Sequence, residues 1–248
     1  NSPKLTTRRW YYLIPAEGIP CSLVHHIEKE TLAHLPGTRR LYAERNQLST
    51  ELTRLVSGLR HVAMEYSPHC AIPYLSRVDA GTVDSLRALN IEVISSGDLV
   101  QQFEATWDLS ALESHYEAAA HLYKIKDRAF SMIQQNVSDG NLTEYSVQEK
   151  MVNWFTEAGL ISDSPPVVAV GNSSADPHYL PTITGHRSIG MNELILLDLW
   201  GKLKKPGAVF ADITWVGYTG KSVPVEYASV FSVARDARDA AVALVSAK

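Results

Sequence analysis

Two aspartates set in apolar runs are the residues of this chain best suited to chemistry. Asp198 follows Leu194-Ile195-Leu196-Leu197, and Asp212 stands between Ala211 and Ile213. The runs Glu193 to Trp200 and Ala208 to Val216 read as strands. Lys204-Lys205-Pro206-Gly207 between them supplies a fixed φ and a residue free to take positive φ, so the stretch predicts a β-hairpin. A loop centred on Lys205 places Asp198 directly opposite Asp212, with Cβ atoms about 5 Å apart. Their neighbours on that face, Leu196, Trp200, Phe210 and Thr214, are mostly apolar. Both acids are therefore expected to be buried, where two like charges are costly. A divalent cation or pair of cations held by both carboxylates would relieve that cost, and so would one shared proton. A register shifted by one residue would instead send one aspartate to the opposite face as a solvated or capping group. The pattern leaves these readings open.

Among the histidines, His178 lies in the loop Gly171 to Pro181, between Pro177 and Tyr179, just after the buried run Val167 to Val170. By itself it reads as a surface residue held by a stiff backbone, and His186 has no stronger claim. His25 and His26 are adjacent on a strand and point to opposite faces, so they and His34 read as structural or surface groups. His69-Cys70 is a lone loop pair, and His115 and His121 are six apart on a helix, the wrong spacing for a shared ion. Cys21 and Cys70 are the two cysteines of the chain. Two isolated cysteines make neither a disulfide framework nor a metal cluster, which points to a reducing, cytoplasmic setting.

Of the 248 residues, 45% are hydrophobic and 20% charged, enough for a sizeable core in one large or two ordinary domains. The net charge of -4, with Lys and Arg scattered, argues against nucleic acid as a partner. No apolar run approaches the roughly 18 residues of a membrane span, and the first residues given do not show the charged-then-apolar pattern of a signal sequence. The chain begins at Asn1 and stops within a helical pattern, so both ends read as cut.

The elements that must position these residues fall into two groups. Trp10 to Ile14 and Ser22 to Ile27 read as a hairpin. A helix over Glu44 to Leu59, a strand over His61 to Tyr66, a helix over Val83 to Leu89, a strand over Ile91 to Ile94 and a helix from Asp98 follow. That alternation predicts a small α/β layer with parallel strands. From about Thr106 the pattern changes to long helices, giving an expected domain boundary between 1–106 and 107–248. Ser110 with Glu113 reads as the capping box of a helix running to Val137, and Thr143 caps a second helix, Glu144 to Ala158. The hairpin follows the loop carrying His178. A polar connection, Gly217 to Glu226, then leads to a helix from about Tyr227.

GNSSADPHYLP, then ELILLDLW, then ADITW, in this order and spacing, resembles the pita-bread metallopeptidases, the family of methionine aminopeptidase, aminopeptidase P, prolidase and creatinase. Upstream, VAMEYSP and IPYLSRVDAGTVDSLRALNIEVISSGDLVQQFEATW are similar to the end of the creatinase-type amino-terminal domain, so the resemblance covers nearly the whole chain. It implies an α/β creatinase-like domain over 1–106, lacking its first strands, and the first half of an α+β pita-bread catalytic domain over 107–248. It also implies that Asp198 chelates one metal ion, that Asp212 bridges two, and that His178 contacts substrate and helps stabilise the oxyanion. The family's other ligands, one histidine and two glutamates, are expected beyond Lys248. The turn between the aspartates is longer than in single-domain members, and Trp215 stands where an arginine commonly follows Asp-Ile-Thr.

The function so implied is a metal-dependent exopeptidase cleaving near the amino terminus of a peptide, of the Xaa-Pro type, through water activated by two divalent ions. Carboxylate ligation suits manganese, cobalt, iron or zinc. The expected partners are a peptide substrate and, in the full-length protein, a second copy in a homodimer, with no nucleic acid and no membrane. The chain by itself is expected to be inactive and to bind metal weakly. The alternatives are a non-catalytic pita-bread module that binds peptide or protein, and a creatinase-like carbon-nitrogen hydrolase.

Overall fold

A computed structural model describes residues 5–246. The chain divides into two compact units, Asn1–Thr106 and Trp107–Lys248, each with its own apolar cluster.

In the first unit, strands β1 (Tyr11–Leu13) and β2 (Cys21–His25) form the expected antiparallel hairpin. A strand the sequence pattern does not show, β3 (Thr38–Tyr42), runs parallel to β2. After helix α1 (Arg45–Leu55), strands β4 (His61–Met64) and β5 (Glu92–Ser95) pair in parallel around helix α2 (Ala80–Arg87), and helix α3 (Gly97–Glu104) follows. The strands do not make one layer: β1, β2 and β3 form one sheet, β4 and β5 another. Leu23, Tyr42, Leu52, Val83, Leu86 and Val93 are among the side chains that pack the core between them. Asp79 caps α2, its carboxylate accepting from the Thr82 N–H and hydroxyl and pairing with Arg9 at 2.8 Å.

In the second unit, helix α4 (Leu109–Asn136) starts at Asp108, whose side chain accepts from Ala111 N–H at 2.7 Å, so Ser110 lies inside the first turn instead of capping it. Helix α5 (Glu144–Glu157) is capped by Thr143, with Ser146 closing the box. Strand β6 (Leu160–Ile161), strand β7 (Val167–Val170) and strand β9 (Ala211–Tyr218) all pair antiparallel with the long strand β8 (Leu194–Leu203). Helix α6 (Val225–Ser246) closes the described residues and buries none of its own.

β8 alternates in burial along its whole length. Ile195, Leu197 and Leu199 are at most 1% exposed and join Leu122, Ala129, Val147 and Met151 of α4 and α5 in one core. Alternation sends the even-numbered residues to the other face, which α4 and α5 do not cover. No helix among the described residues is long and apolar enough to cross a membrane.

Candidate functional site

Asp198 and Asp212 are carried by β8 and β9, adjacent antiparallel strands joined by a tight turn. Ala208 N–H bonds back to Lys205 C=O with Pro206 and Gly207 at the two central positions and Gly207 at φ 72°, the arrangement of a type II turn. The ladder is symmetric about Pro206, not Lys205: Asp198 pairs with Thr214, and Asp212 pairs with Trp200. The two aspartates are therefore diagonal neighbours on one face instead of direct partners, about 7 Å apart at Cβ. The outgoing end of the turn is fixed by α4, where Ser114 Oγ accepts from Val209 N–H at 3.0 Å and His115 Nδ1 lies 2.8 Å from Phe210 C=O. Those anchors set where β9 begins.

The expectation that both acids are buried is not met. Asp198 is half-buried and Asp212 is exposed, because the helices cover only the opposite face. Thr214 Oγ1 donates to Asp198 Oδ1 at 2.6 Å, which orients that carboxylate. Although part of Asp212 reaches solvent, burial of its carboxyl group among neighbouring atoms raises its pKa above the ordinary value, and the charge of Asp198 adds to the rise. The like charges thus act on each other across the diagonal. Trp200, opposite Asp212, donates its indole N–H to Asp163 at 2.7 Å.

Trp215 has its side chain on the other face of β9. Its ladder partner is the fully buried Leu197, and Lys126 of α4 stands over its ring. It does not face the aspartates.

His178 lies on the segment between β7 and β8. Val167 pairs with Asp198 and Val170 with Ile195, so the segment leaves the sheet three residues from Asp198 along β8, about 10 Å of strand. His178 is exposed, and its backbone N–H donates to Asp176 Oδ1 at 2.9 Å. His186, further along, donates its Nδ1–H to Thr182 C=O at 2.8 Å and stacks on Tyr145. His25 is structural, bridging Ala43 C=O and Ile27 N–H.

One residue that sequence reasoning treats only as the start of a helix is central here. Glu144, the first residue of α5, is 0% exposed. Its Oε1 accepts from Val170 N–H at 2.8 Å, and its Oε2 accepts from Arg187 N–H at 2.7 Å and from the hydroxyl of Tyr179. Burial, then the bond to Glu144 and its charge, raise the Tyr179 pKa above its ordinary value. The sequence signal was an acid in a first helical turn, common enough for the helix dipole to explain it.

Two carboxylates on one face are the hard oxygen donors that divalent cations take, and their mutual repulsion is what a cation would relieve. To that extent the residues fit a metal. Among the described residues no group of three or more His, Cys, Asp or Glu side chains is placed to hold an ion. The histidine and two glutamates expected beyond Lys248 lie outside the described residues.

The sequence profile of metallopeptidase family M24 matches residues 116–248, more than half of the chain. No curated protein sequence matches it significantly. Among solved structures it is similar to a prolidase from Thermococcus sibiricus, with a TM-score of 0.60 at 16% identity, covering 95% of this chain and 60% of that one. It is similar to the dipeptidase PepE from Mycobacterium ulcerans, with a TM-score of 0.59 at 16% identity over 89% of this chain and 56% of that one. An Xaa-Pro dipeptidase from Bacillus anthracis gives a TM-score of 0.55 at 16% identity over 92% and 59%. The chain thus spans about 60% or less of the length of these structures. With its profile match over the second unit and this shared architecture, the chain belongs to metallopeptidase family M24 and carries the pita-bread fold.

Proposed function

We propose that the protein carrying this chain is a metal-dependent exopeptidase acting on Xaa-Pro peptides, and that Asp198 and Asp212 are two of its metal ligands. The observation that carries this reading is the diagonal, same-face placement of the two aspartates on β8 and β9 in a chain of family M24. Asp198, oriented by Thr214, and Asp212, whose carboxyl group feels the charge of Asp198, are the side chains that would hold the divalent cations. Divalent cations, when bound, supply the Lewis acidity that polarises a scissile carbonyl and lowers the pKa of water. His178 donates a hydrogen bond to the carbonyl oxygen as negative charge develops on it. The open face leaves room for a peptide along the strands.

A second reading is a pita-bread module that binds peptide without cleaving it. Hydrolysis separates the two. The protein is incubated with an Xaa-Pro dipeptide and with manganese or cobalt, then with a chelator. Metal-dependent release of the amino-terminal residue, lost in Asp198→Asn and Asp212→Asn, supports the peptidase. Peptide binding without turnover in a chain long enough to span its relatives would support the module instead.

A further inference from the structure

The segment that carries His178 is long, Gly171 to Glu193, and begins as a single five-residue 3-10 stretch, Gly171–Ala175. A loop of that length has many conformations unless something fixes it. The fixing group is Glu144. It receives the last N–H of β7, at Val170, where the segment departs; the hydroxyl of Tyr179, the residue after His178; and the N–H of Arg187, near its return. Its own N–H donates to Arg187 C=O at 3.0 Å, and Ile189 N–H bonds to Leu142 C=O just before α5. A carboxylate buried this completely is retained only when its lone pairs are satisfied, and all three donors come from the one segment or its root.

We propose that Glu144 is a positioning residue that sets His178, acting through Tyr179 and the two backbone N–H groups instead of touching substrate. The two carboxylate oxygens span the base of the segment. Tyr179 ties its tip to the same group, so the backbone of the neighbouring His178 has one place to be. Glutamine at 144 keeps the volume but turns one acceptor into a donor. Tyr179 can rotate its hydroxyl to accept from an amide, whereas Arg187 N–H cannot. The substitution therefore breaks the base of the clamp selectively. Phenylalanine at 179 removes only the tie to the tip.

This inference rests on the role given to His178 above, and the test separates the two. The imidazole signals of His178 and the amide signals of Val170 and Arg187 are followed by NMR in the unsubstituted chain, Glu144→Gln, Tyr179→Phe and the double variant. The thermal midpoint of each is recorded alongside. Glu144→Gln is expected to shift and broaden the His178 signals, Tyr179→Phe to shift them less, and the double variant, which loses both the base and the tie to the tip, to shift them more than either alone. In a protein that turns over peptide, kcat falls about 10- to 100-fold with KM nearly unchanged. A lower midpoint with unmoved His178 signals would reduce Glu144 to a structural residue and overturn the proposal. Where Glu144→Gln fails to fold, Tyr179→Phe decides in the same way. If His178 moves while kcat holds, the positioning role stands and the catalytic role of His178 fails.

Discussion

Lys126 Nζ lies 4.1 Å from the centre of the Trp215 ring, on the face of β9 turned away from Asp198 and Asp212. Lys126 is 7% exposed, and besides this ring and that of Tyr123 its ammonium meets Asp127 at 2.8 Å. The residue after Asp-Ile-Thr in this chain is therefore a packing partner for a helix cation. An arginine at that position would set a second cation beside the first.

Trp215→Arg should accordingly destabilise the protein by about 1 to 2 kcal/mol, through loss of the cation–π contact and gain of like-charge repulsion. Trp215→Phe, which keeps a ring, should cost less. Urea denaturation of the three proteins measures both. Neither substitution should alter cation binding at the aspartates, since the side chain is on the opposite face.

Gly217, two residues along the same face of β9, has no room for a side chain. An added Cβ would stand 2.6 Å from Cε1 of Phe130 in α4. Gly217→Ala should cost about 1 to 3 kcal/mol by overpacking. The double variant with Phe130→Leu should recover part of the loss, and denaturant midpoints will show whether it does.

Asp79 gives a pH-dependent prediction. Hydrogen bonds from Arg9 and Thr82 hold its carboxyl at about 2 against an ordinary value of 3.8. The folded pKa lies below the unfolded one, so the contribution is present above about pH 4 and is lost as pH falls toward about 2. Because both Asp79 and Arg9 are about half exposed, screening keeps the ion pair small, and the helix cap accounts for most of an expected loss of about 1 kcal/mol in Asp79→Ala. The difference in stability between Asp79→Ala and the unsubstituted chain should shrink across that acid window.

The strands that carry the aspartates were legible because each is an apolar run bounded by Lys, Pro and Gly, and Gly207 takes the positive φ its turn needs. Their register was not. It depends on Ser114 and His115, about 95 residues earlier in the chain, gripping Val209 and Phe210, and no local pattern contains that contact. β3 was hidden because four of its five residues, including Arg39 and Arg40, are exposed and show no alternation. β6 is two residues long, too short for any period. The cap read at Ser110 falls inside the first turn of α4, because Asp108 accepts from Ala111 N–H and starts the helix two residues earlier. Glu144 looked like an ordinary first-turn acid, and its burial comes from the closure of a later segment over it.

Thr214→Val should loosen the site without filling it. Thr214 donates to Asp198 at 2.6 Å, and removing a group that orients a ligand typically lowers metal affinity about 10- to 100-fold. Thr214→Ser, which keeps the hydroxyl, should stay close to the unsubstituted protein. Competition of manganese against a metal-sensitive dye reads the difference.

The central claim, that Asp198 and Asp212 act together on a divalent cation, is tested most directly by paramagnetic broadening. Manganese is titrated into the isotope-labelled chain while backbone amide signals are followed, a readout that registers weak as well as tight binding. The account predicts broadening centred on Asp198, Asp212, Thr214 and Trp200, abolished in Asp198→Asn and in Asp212→Asn alike. Broadening centred elsewhere, or broadening at β8 and β9 that survives either substitution, would contradict it.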